Sequence, residues 1–363
     1  MIKTPSLILH TDIAHQNIDK MMALCQKWNM DFRPHFKTHQ SAEIGEWFRK
    51  KGIGKCTVSS LSMAAYFASH GWKDITIAIP VNVLEIDEIN RLARQVKLNL
   101  LIDHKETCLF LSEHLKSNVS VFIEIDTAYG RSGVYYQNTK GIDDLLRTIK
   151  ASPLMKSKGF LSHTGNSYSA ENMVKGAEIF ELSRQRMLKL KQSYLKACPN
   201  LIISMGDTPS STFANDFNEI DEWRPGNFVF YDMMQFANGV CQVEEIALIV
   251  RCPVIGIYPK RKEIVIYGGG VHLSKESMMF QGERIFGWVQ AENEVGQENM
   301  FSGFPLISLS QEHGIIAVSE EFLSQIKIGD LVDIIPVHSC MAADLYAAYF
   351  TEDGEVVGKF RLG

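Results

Sequence analysis

Strand-like and helix-like segments alternate along the chain up to about residue 230, and this alternation constrains the fold more than any other feature of the sequence. Short apolar and β-branched runs are separated by stretches with helical spacing, the longest at about residues 171–196. The strand-like runs lie at 54–59, 75–79, 98–102, 119–126, 159–163, 201–206 and about 222–230. With the segment that begins at Arg33 they make about eight strands over roughly 220 residues, which predicts a (β/α)8 TIM barrel. A doubly wound open sheet is the alternative.

The pattern changes beyond about residue 241, where β-rich runs follow one another without a long helical pattern between them. These runs lie at 246–257, 263–266, 284–289, 306–309, 314–318 and 331–335. We therefore predict an α/β chain with a barrel at residues 8–240 and a C-terminal β domain at residues 241–363. A hairpin at Asp353-Gly354 is expected to complete that domain.

The composition favours a globular enzyme of the cytoplasm. Apolar residues make up 45% of the chain and charged residues 22%, with a net charge of −5, which predicts neither nucleic acid nor an anionic membrane as a partner. No apolar run approaches the roughly 18 residues of a spanning helix, and residues 1–6 lack the apolar core of a signal peptide. The seven cysteines are scattered without a Cys-x-x-Cys motif, a pattern typical of reduced thiols.

The segment Arg33–His39 concentrates charged and polar side chains directly after a predicted helix. Pro34 suits the start of a strand, and Lys37 would fall at its C-terminal end, where the active sites of β/α barrels lie. A lysine in this place, beside histidines, can serve as a nucleophilic amine. A solvated basic turn is the alternative.

Residues 34–39, Pro-His-Phe-Lys-Thr-His, resemble the pyridoxal-phosphate (PLP) lysine motif of the fold-type III family that contains D-threonine aldolases and D-serine dehydratases. The resemblance implies that Lys37 carries PLP and that His35 lies beside the cofactor. It also implies an alanine racemase-like barrel followed by a β domain that the N-terminal strand, residues 1–7, joins.

Two segments are expected to contact the phosphate of the cofactor, because loops after the last two barrel strands commonly bind phosphate. They are residues 206–210, Gly-Asp-Thr-Pro-Ser, and residues 224–227, Arg-Pro-Gly-Asn. They resemble the family's Gly-x-Thr-Pro and Arg-Pro-Gly segments. The cofactor contacts implied in these two segments are Gly206, Asp207, Thr208, Arg224, Gly226 and Asn227. The segment that follows, which contains Tyr231-Asp232, also resembles the family and implies Tyr231 as a further contact. Asp207 stands where a smaller residue is expected, so its backbone is the expected contact.

Two more barrel segments resemble the family. Residues 126–133, Asp-Thr-Ala-Tyr-Gly-Arg-Ser-Gly, are similar to Asp-x-Gly-x-x-Arg-x-Gly, which implies that Arg131 lies near the cofactor's ring oxygen. Ala128 replaces the family's glycine, which puts the local turn in doubt. His163 ends the sixth strand and can act as a base near neutral pH. The resemblance implies that His163 and Tyr168 lie near the cofactor. The alternatives are a surface ion pair of Asp126 with Arg131 and a purely structural role for His163.

The pair His338-x-Cys340 is a candidate metal site. On a strand, residues i and i+2 point to one side, so an imidazole and a thiolate can meet on one cation. Two protein ligands leave open positions, which suits a catalytic metal, and the sulfur favours Zn²⁺. The pair resembles the metal-binding segment of the same family, in which an oxygen ligand in place of the cysteine would suit Mn²⁺ better. The role of His272 stays open.

The resemblance implies a PLP- and metal-dependent lyase acting on a D-3-hydroxy amino acid. With Lys37 as the base at Cα the reaction is β-elimination, as from D-serine. With His163 as the base at the hydroxyl it is retro-aldol cleavage, as from D-threonine. The cysteine ligand favours elimination. The alternatives are an amino-acid racemase on the same fold and a PLP-carrying regulatory protein, and the resemblance also implies a homodimer.

Overall fold

The structure, a computed structural model, describes residues 2–290 and 303–361. The chain divides into two compact units. The barrel unit comprises Ile18–Phe228, and the β unit comprises the residues up to Asn17 together with Val229–Arg361. The predicted boundary between residues 240 and 241 stays a prediction. Residues 291–302 and 362–363 of the predicted β domain lie outside the described residues.

The described residues form twenty strands and twelve α-helices. The strands are β1 (Ser6–Leu9), β2 (Asp31–Phe32), β3 (Lys55–Val58), β4 (Asp74–Pro80), β5 (Lys97–Ile102), β6 (Val119–Asp126), β7 (Val134–Tyr135), β8 (Met155–Leu161), β9 (Ile202–Met205), β10 (Glu222–Trp223), β11 (Leu248–Tyr258), β12 (Glu263–Tyr267), β13 (Met278–Phe280), β14 (Glu283–Ile285), β15 (Gly287–Gln290), β16 (Gly303–Leu309), β17 (His313–Ala317), β18 (Leu331–Pro336), β19 (Ala348–Thr351) and β20 (Val356–Gly358). The helices are α1 (Thr11–Lys27), α2 (Ala42–Lys50), α3 (Leu61–Ser69), α4 (Ile86–Ala93), α5 (Lys105–His114), α6 (Thr139–Ala151), α7 (Met173–Tyr194), α8 (Thr208–Phe213), α9 (Met233–Ala237), α10 (Gly270–Leu273), α11 (Glu320–Gln325) and α12 (Ser339–Asp344).

The barrel unit contains one parallel sheet in the order β2-β10-β9-β8-β6-β5-β4-β3, with the short β7 beside β6. A parallel bridge between His35 and Thr57 joins the chain after β2 to β3. The N–H of Phe36 also donates to the carbonyl of Thr57 at 2.8 Å. The sheet therefore closes, and a helix lies between each two successive strands of it. The predicted (β/α)8 barrel is confirmed.

Prolines shorten two of the barrel strands relative to the prediction. The eighth strand, predicted at about 222–230, contains only the two residues of β10, and a 3-10 turn follows it at Asn227–Val229. β2 likewise ends at Phe32, so Lys37 lies in a turn after the strand and not at the strand end itself. Pro34 and Pro225 have no N–H with which to continue a strand ladder, which explains both differences.

A network of charged side chains fills part of the barrel interior. Arg33 is 1% exposed and donates to Glu222 at 2.6 Å and to Asp74 at 2.8 Å. Asn99 donates to the same Asp74 carboxylate at 2.9 Å and accepts from Lys158 at 2.9 Å. Burial alone would raise the pKa of the Glu222 carboxyl, but Arg33, Lys158 and the hydrogen bond from Ser204 together outweigh burial and lower this pKa. The acid is therefore a charged partner that holds β10 to β2.

The β unit is built on a nine-stranded sheet in the order β12-β17-β16-β15-β18-β11-β1-β19-β20. Because β12 also pairs with β11, six antiparallel strands close into a ring. The N-terminal β1 joins this unit through β11 and β19. The β19–β20 hairpin turns at Gly354, whose φ of +83° suits glycine. No helix in the described ranges is long and apolar enough to cross a membrane.

Removal of the Arg33 side chain should destabilise the barrel unit strongly. The Arg33→Ala variant leaves the buried Glu222 carboxylate and the half-buried Asp74 carboxylate without their guanidinium partner, a loss of about 3–5 kcal/mol in the free energy of unfolding. Urea denaturation at neutral pH measures it. The matched control is Lys175→Ala, which breaks an exposed pair with Glu178 and should leave the urea midpoint almost unchanged.

The loss of stability in Arg33→Ala should become smaller as the pH falls. Lowered carboxyl pKa values stabilise the folded state fully above the unfolded-state pKa of about 4, and this stabilisation disappears as the pH falls below it. The difference between wild type and Arg33→Ala should therefore shrink below about pH 4. A difference that stays constant from pH 7 to pH 3 would contradict the ionic account of this network.

Candidate active site

Lys37, the predicted cofactor lysine, lies in a turn that aromatic packing anchors. Lys37 is exposed, and its backbone N–H donates to Nδ1 of His35, 3.4 Å away. The preceding Phe36 is fully buried and packs on Phe67 and Trp72, with ring centroids 4.9 and 4.8 Å apart. The core thus fixes the backbone of the turn, whereas the lysine side chain stays accessible.

The segment Pro225-Gly226 packs directly on this lysine turn. The carbonyl of Pro225 accepts the N–H of His35 at 2.9 Å. A Cβ on Gly226 would lie 2.9 Å from the carbonyl oxygen of His35 and 2.9 Å from Oγ1 of Thr38. Any other residue would push the two segments apart, so glycine is required for this close approach.

Thr208 connects the two segments that were predicted to bind phosphate. Its hydroxyl oxygen accepts the N–H of Phe228 at 3.1 Å, next to the buried Asn227. Its own N–H donates to the hydroxyl of Tyr168 at 3.4 Å. The structure therefore brings Thr208, Asn227 and Tyr168 together, as a shared cofactor site requires.

Gly206 and Arg224 are neighbours on paired strand ends. The N–H of Arg224 donates to the carbonyl of Met205 at 2.8 Å, and a Cβ on Gly206 would lie 2.3 Å from the Arg224 nitrogen. The buried guanidinium of Arg224 donates to the hydroxyl of Ser204 at 2.7 Å and to the carbonyl of Ser162 at 2.8 Å. These contacts fix the arginine inside the barrel.

The side chain of Asp207 is occupied by its own surroundings. Its carboxylate caps α8 by accepting the N–H of Ser210 at 2.8 Å, and it also accepts the hydroxyl of Ser167 at 2.7 Å. Burial raises the pKa of Asp207, and the hydrogen bonds from Ser167 and Ser210 oppose this rise. The backbone of Asp207 stays the predicted cofactor contact.

His163 is held as a neutral base. Its Nδ1 lies 3.2 Å from the carbonyl oxygen of Gly206, and because a carbonyl only accepts, Nδ1 carries the proton and Nε2 keeps its lone pair. Desolvation, followed by the charges of Arg131 and Lys37, lowers the pKa of His163 to about 3. The ring of Tyr168 lies 6.3 Å from the imidazole. A neutral imidazole with a free Nε2 can accept a proton at this place.

The site has an excess of positive charge. Desolvation lowers the pKa of His35 well below its usual value, and the positive charges of Lys37, Arg224 and Arg131 add to this lowering. Burial lowers the pKa of Arg224 to about 10, so this guanidinium still carries its charge at neutral pH. Two arginines and a lysine around two neutral histidines suit an anionic ligand such as a phosphate.

The loop that carries Arg131 is organised by Asp126. One carboxylate oxygen of Asp126 accepts three successive N–H groups, those of residues 128–130, at 2.9, 2.8 and 3.0 Å. Ala128 has a φ of +79°, in the left-handed region that favours glycine. The doubt about this turn is therefore resolved, because Ala128 adopts the glycine-type conformation.

Two residues near Arg131, Glu124 and Tyr129, were not predicted as site residues. Glu124 is buried on β6; it accepts the hydroxyl of Ser132 at 3.0 Å and lies 3.9 Å from the guanidinium of Arg131. The ring of Tyr129 lies 6.0 Å from that of His163 and 5.4 Å from the guanidinium carbon of Arg131. Their proximity to Arg131 in the sequence is the signal that could have found them.

The predicted metal pair does not lie on a strand. β18 ends at Pro336, and His338 is the N-cap of α12, which contains Cys340. The argument that positions i and i+2 share one side of a strand is therefore wrong for this pair. The N–H of Ser339 bonds to the buried carboxylate of Asp232 at 3.0 Å, which draws this segment out of the ladder and into a helix.

The two side chains of the pair nevertheless interact. Burial would lower the pKa of His338, but Cys340 and Asp232 outweigh burial and raise this pKa to about 9. In the part of the chain that the structure describes, no group of three or more His, Cys, Asp and Glu side chains could hold a metal. His338 and Cys340 therefore remain a two-ligand candidate with open positions, which suits a metal that binds substrate.

Tyr231 and His272 also belong to the β unit. Tyr231 is buried with a φ of +48°, and burial, followed by Cys241 and Glu245, raises the pKa of its hydroxyl. His272 accepts the N–H of Gly269 through Nδ1 at 3.2 Å within its own helix, α10. The contact stabilises this helix and assigns no role to His272.

Most of the predicted cofactor residues thus converge in the barrel unit, whereas Tyr231 and the two predicted metal ligands lie in the β unit. The converging residues are Lys37, His35, Arg131, His163, Tyr168, Gly206, Asp207, Thr208, Arg224, Gly226 and Asn227. Those in the β unit are Tyr231, His338 and Cys340.

Comparison with protein families decides what this arrangement is. The model "Alanine racemase, N-terminal domain" matches residues 9–233, and the model "Putative serine dehydratase domain" matches residues 247–351. The chain belongs to the fold-type III family of PLP enzymes. The donor set of the barrel unit fits the cofactor of this family, since it combines an accessible lysine, positive charge and a glycine-lined cradle.

Full-length relatives have dehydratase names. The chain is 28% identical over 394 residues to a D-serine dehydratase of Dictyostelium discoideum, covering 99% of this chain and 96% of the relative. It is also similar to the solved D-threo-3-hydroxyaspartate dehydratase of Delftia sp. HT23, with a TM-score of 0.89, 26% identity and coverage of 100% and 99%. The solved D-threonine aldolase of Filomicrobium marinum, at 18% identity and a TM-score of 0.84, shares the fold.

A side chain at position 226 should weaken PLP binding. In Gly226→Ala the new methyl group overlaps the lysine turn, a strain of about 1–3 kcal/mol that would weaken PLP binding roughly 10- to 100-fold if the cofactor needs the original geometry. Titration of the apoenzyme with PLP, followed by visible absorbance, gives the Kd. The control is Gly54→Ala, whose Cβ would meet nothing within 4 Å. Equal affinities for the two variants would show that Gly226 does not shape the site.

Proposed function

We propose that this protein is a PLP- and zinc-dependent lyase that removes the 3-hydroxyl group and the amino group from a D-3-hydroxy amino acid, in the manner of a D-serine dehydratase. The observation that carries the proposal is the convergence of Lys37 with the neutral His163 and the two guanidinium groups of Arg131 and Arg224. The dehydratase names of the full-length relatives support elimination.

The residues of the barrel unit fit the cofactor group by group. Lys37 offers an accessible amine for covalent attachment. Backbone groups at Gly206, Thr208, Gly226 and Asn227 are suited to the phosphate, with glycines where the chain approaches closely. Arg131 supplies a cation for the ring oxygen. When bound, PLP withdraws electrons from the substrate's Cα.

Elimination and cleavage differ in which proton the protein removes. In elimination, Nζ of Lys37 takes the Cα proton, the Cβ–O bond breaks, and the departing hydroxyl group becomes water by taking up that proton. The enamine that remains then reacts with one water molecule to give a keto acid and ammonia. In cleavage, Nε2 of His163 takes the hydroxyl proton and the Cα–Cβ bond breaks. His163 has the required lone pair, so retro-aldol cleavage is the second candidate.

The metal part of the proposal rests on His338 and Cys340. A thiolate and an imidazole prefer Zn²⁺ to Mg²⁺ or Ca²⁺, with Mn²⁺ a less suitable ion. Open positions on the ion could hold the substrate's hydroxyl group and stabilise it as it leaves. A solved variant of a D-threo-3-hydroxyaspartate dehydratase, 26% identical to this chain, is in the metal-free form, which supports a metal in a similar protein.

A homodimer and a cytoplasmic location complete the proposal. The family resemblance supports a dimer, which light scattering on the purified protein would test. The seven cysteines all lie in the described ranges and form no disulfide there, which supports a reducing compartment.

The test is a product assay on D-serine and D-threonine, with and without a chelator. We expect pyruvate and ammonia from D-serine, loss of turnover on chelation and recovery with zinc. The Lys37→Ala variant should lose activity at least about 10³-fold, as expected for removal of a group that both holds the cofactor and moves a proton. The control Lys73→Ala changes an exposed lysine and should keep wild-type turnover.

The other outcomes assign other functions. Glycine and acetaldehyde from D-threonine, without pyruvate from D-serine, would favour the aldolase. Racemisation that is insensitive to the chelator would favour the racemase and discard the metal. Turnover by Lys37→Ala equal to that of wild type would remove the proposed mechanism.

A further inference from the structure

The carboxylate of Asp232 makes a set of hydrogen bonds that have no role in the proposed lyase mechanism. Its carboxylate has no exposed surface and stands directly before α9. One oxygen accepts the N–H of Gln235 at 2.9 Å. The other lies 3.1 Å from Nδ1 of His338 and accepts the N–H and the hydroxyl of Ser339 at 3.0 and 3.3 Å. The carboxylate is thus fixed by backbone groups on both sides.

The contact to His338 determines how its ring is protonated. Two backbone N–H groups and the hydroxyl of Ser339 all donate to the Asp232 carboxylate, so Asp232 acts as an acceptor in this cluster. A carboxylate can only accept, so Nδ1 of His338 carries a proton and Nε2 is the nitrogen left for a metal. The His338 side chain keeps 23% exposure whereas that of Asp232 has none, so the accessible part of the ring is the part away from Asp232.

Backbone contacts hold the two segments together independently of these side chains. The N–H of Met234 donates to the carbonyl of Val337 at 3.2 Å. Tyr231, directly before Asp232, has a φ of +48°. A left-handed conformation in a non-glycine residue is strained and persists where the surroundings enforce it. The segment is therefore built to place the Asp232 carboxylate against His338.

We propose that Asp232 is the positioning residue of the metal site: it fixes the tautomer and orientation of His338 so that Nε2, with the thiolate of Cys340, binds the divalent cation. The inference rests on the proposed metal site of the lyase. Histidine ligands commonly donate their second N–H to a carboxylate, which holds the ring and makes the ligating nitrogen more basic. The rival explanation is that Asp232 only caps α9 and α12.

The Asp232→Asn variant separates these explanations. An asparagine amide can still accept a backbone N–H, but where its NH₂ group faces Nδ1 it favours the tautomer with the proton on Nε2, which blocks the metal. We expect the zinc Kd of the PLP-loaded enzyme to rise 10- to 100-fold, measured by competition with a chromophoric chelator. The control Ser339→Ala removes a hydroxyl from the same carboxylate without touching His338, and its zinc Kd should change less than about twofold.

The outcomes distinguish this inference from the function on which it rests. If His338→Ala loses zinc and Asp232→Asn binds it as wild type does, the positioning role is wrong and the metal site stands. If the wild type binds no zinc more tightly than His338→Ala does, the metal site itself is wrong and the inference falls with it.

A second measurement does not require Asp232→Asn to fold. In ¹⁵N-histidine NMR of the wild type, the His338 signals, assigned by their loss in His338→Asn, should show a protonated Nδ1 and a shift of Nε2 on zinc addition. A zinc-induced shift at Nδ1 instead would overturn the proposal.

Discussion

The buried ion pair of Arg33 and Glu222 is the interaction on which the barrel unit depends. It joins the first and last strands of the barrel sheet, and these strands deliver Lys37 and Arg224 a few residues later. A buried charge is tolerated only when it is paired and its hydrogen bonds are satisfied. The observed register of β2 against β10 pairs Arg33 with Glu222. This ion pair therefore also fixes the positions of the lysine turn and of Arg224, which follow the two strands.

The same network reaches the candidate site. Ser204 donates its hydroxyl to Glu222 at 2.7 Å and accepts the Arg224 guanidinium at 2.7 Å. The negative charge of Glu222 is therefore neutralised by Arg33 inside the barrel, while Lys37 and Arg131 give the site an excess of positive charge. A neutral His163 results from desolvation and, to a smaller extent, from this field. An anionic cofactor would offset the excess, and a neutral base beside it is what proton transfer from a hydroxyl requires.

The sequence predicted those features of the fold and of the site that depend on local patterns and contiguous motifs. The alternation of strands and helices predicted the barrel, and the segments around Lys37, Gly206 and Gly226 do meet in space. Strand lengths were less predictable, because Pro34 and Pro225 end their ladders early. The helix after His338 was missed, because it depends on a hydrogen bond from Ser339 to a carboxylate far away along the chain.

Side-chain contacts that no local pattern records explain the other omissions. Asp232 was seen as part of a family-like run, but nothing in its neighbours indicates that His338 packs against it. Glu124 lies two residues before the Asp126 motif, and its distance to the Arg131 guanidinium is what places it in the candidate site. Hydrophobic periodicity reports which face of an element is buried and not which polar groups meet there.

The central claim is that Lys37 holds the cofactor of this enzyme, and peptide mass spectrometry after borohydride reduction tests it most directly. Reduction of the PLP-loaded protein should fix the cofactor mass on the one peptide that contains Lys37 and leave the peptide of the exposed Lys73 unmodified. The account predicts near-complete modification at Lys37 alone. Cofactor mass on another lysine, or on none, would contradict it.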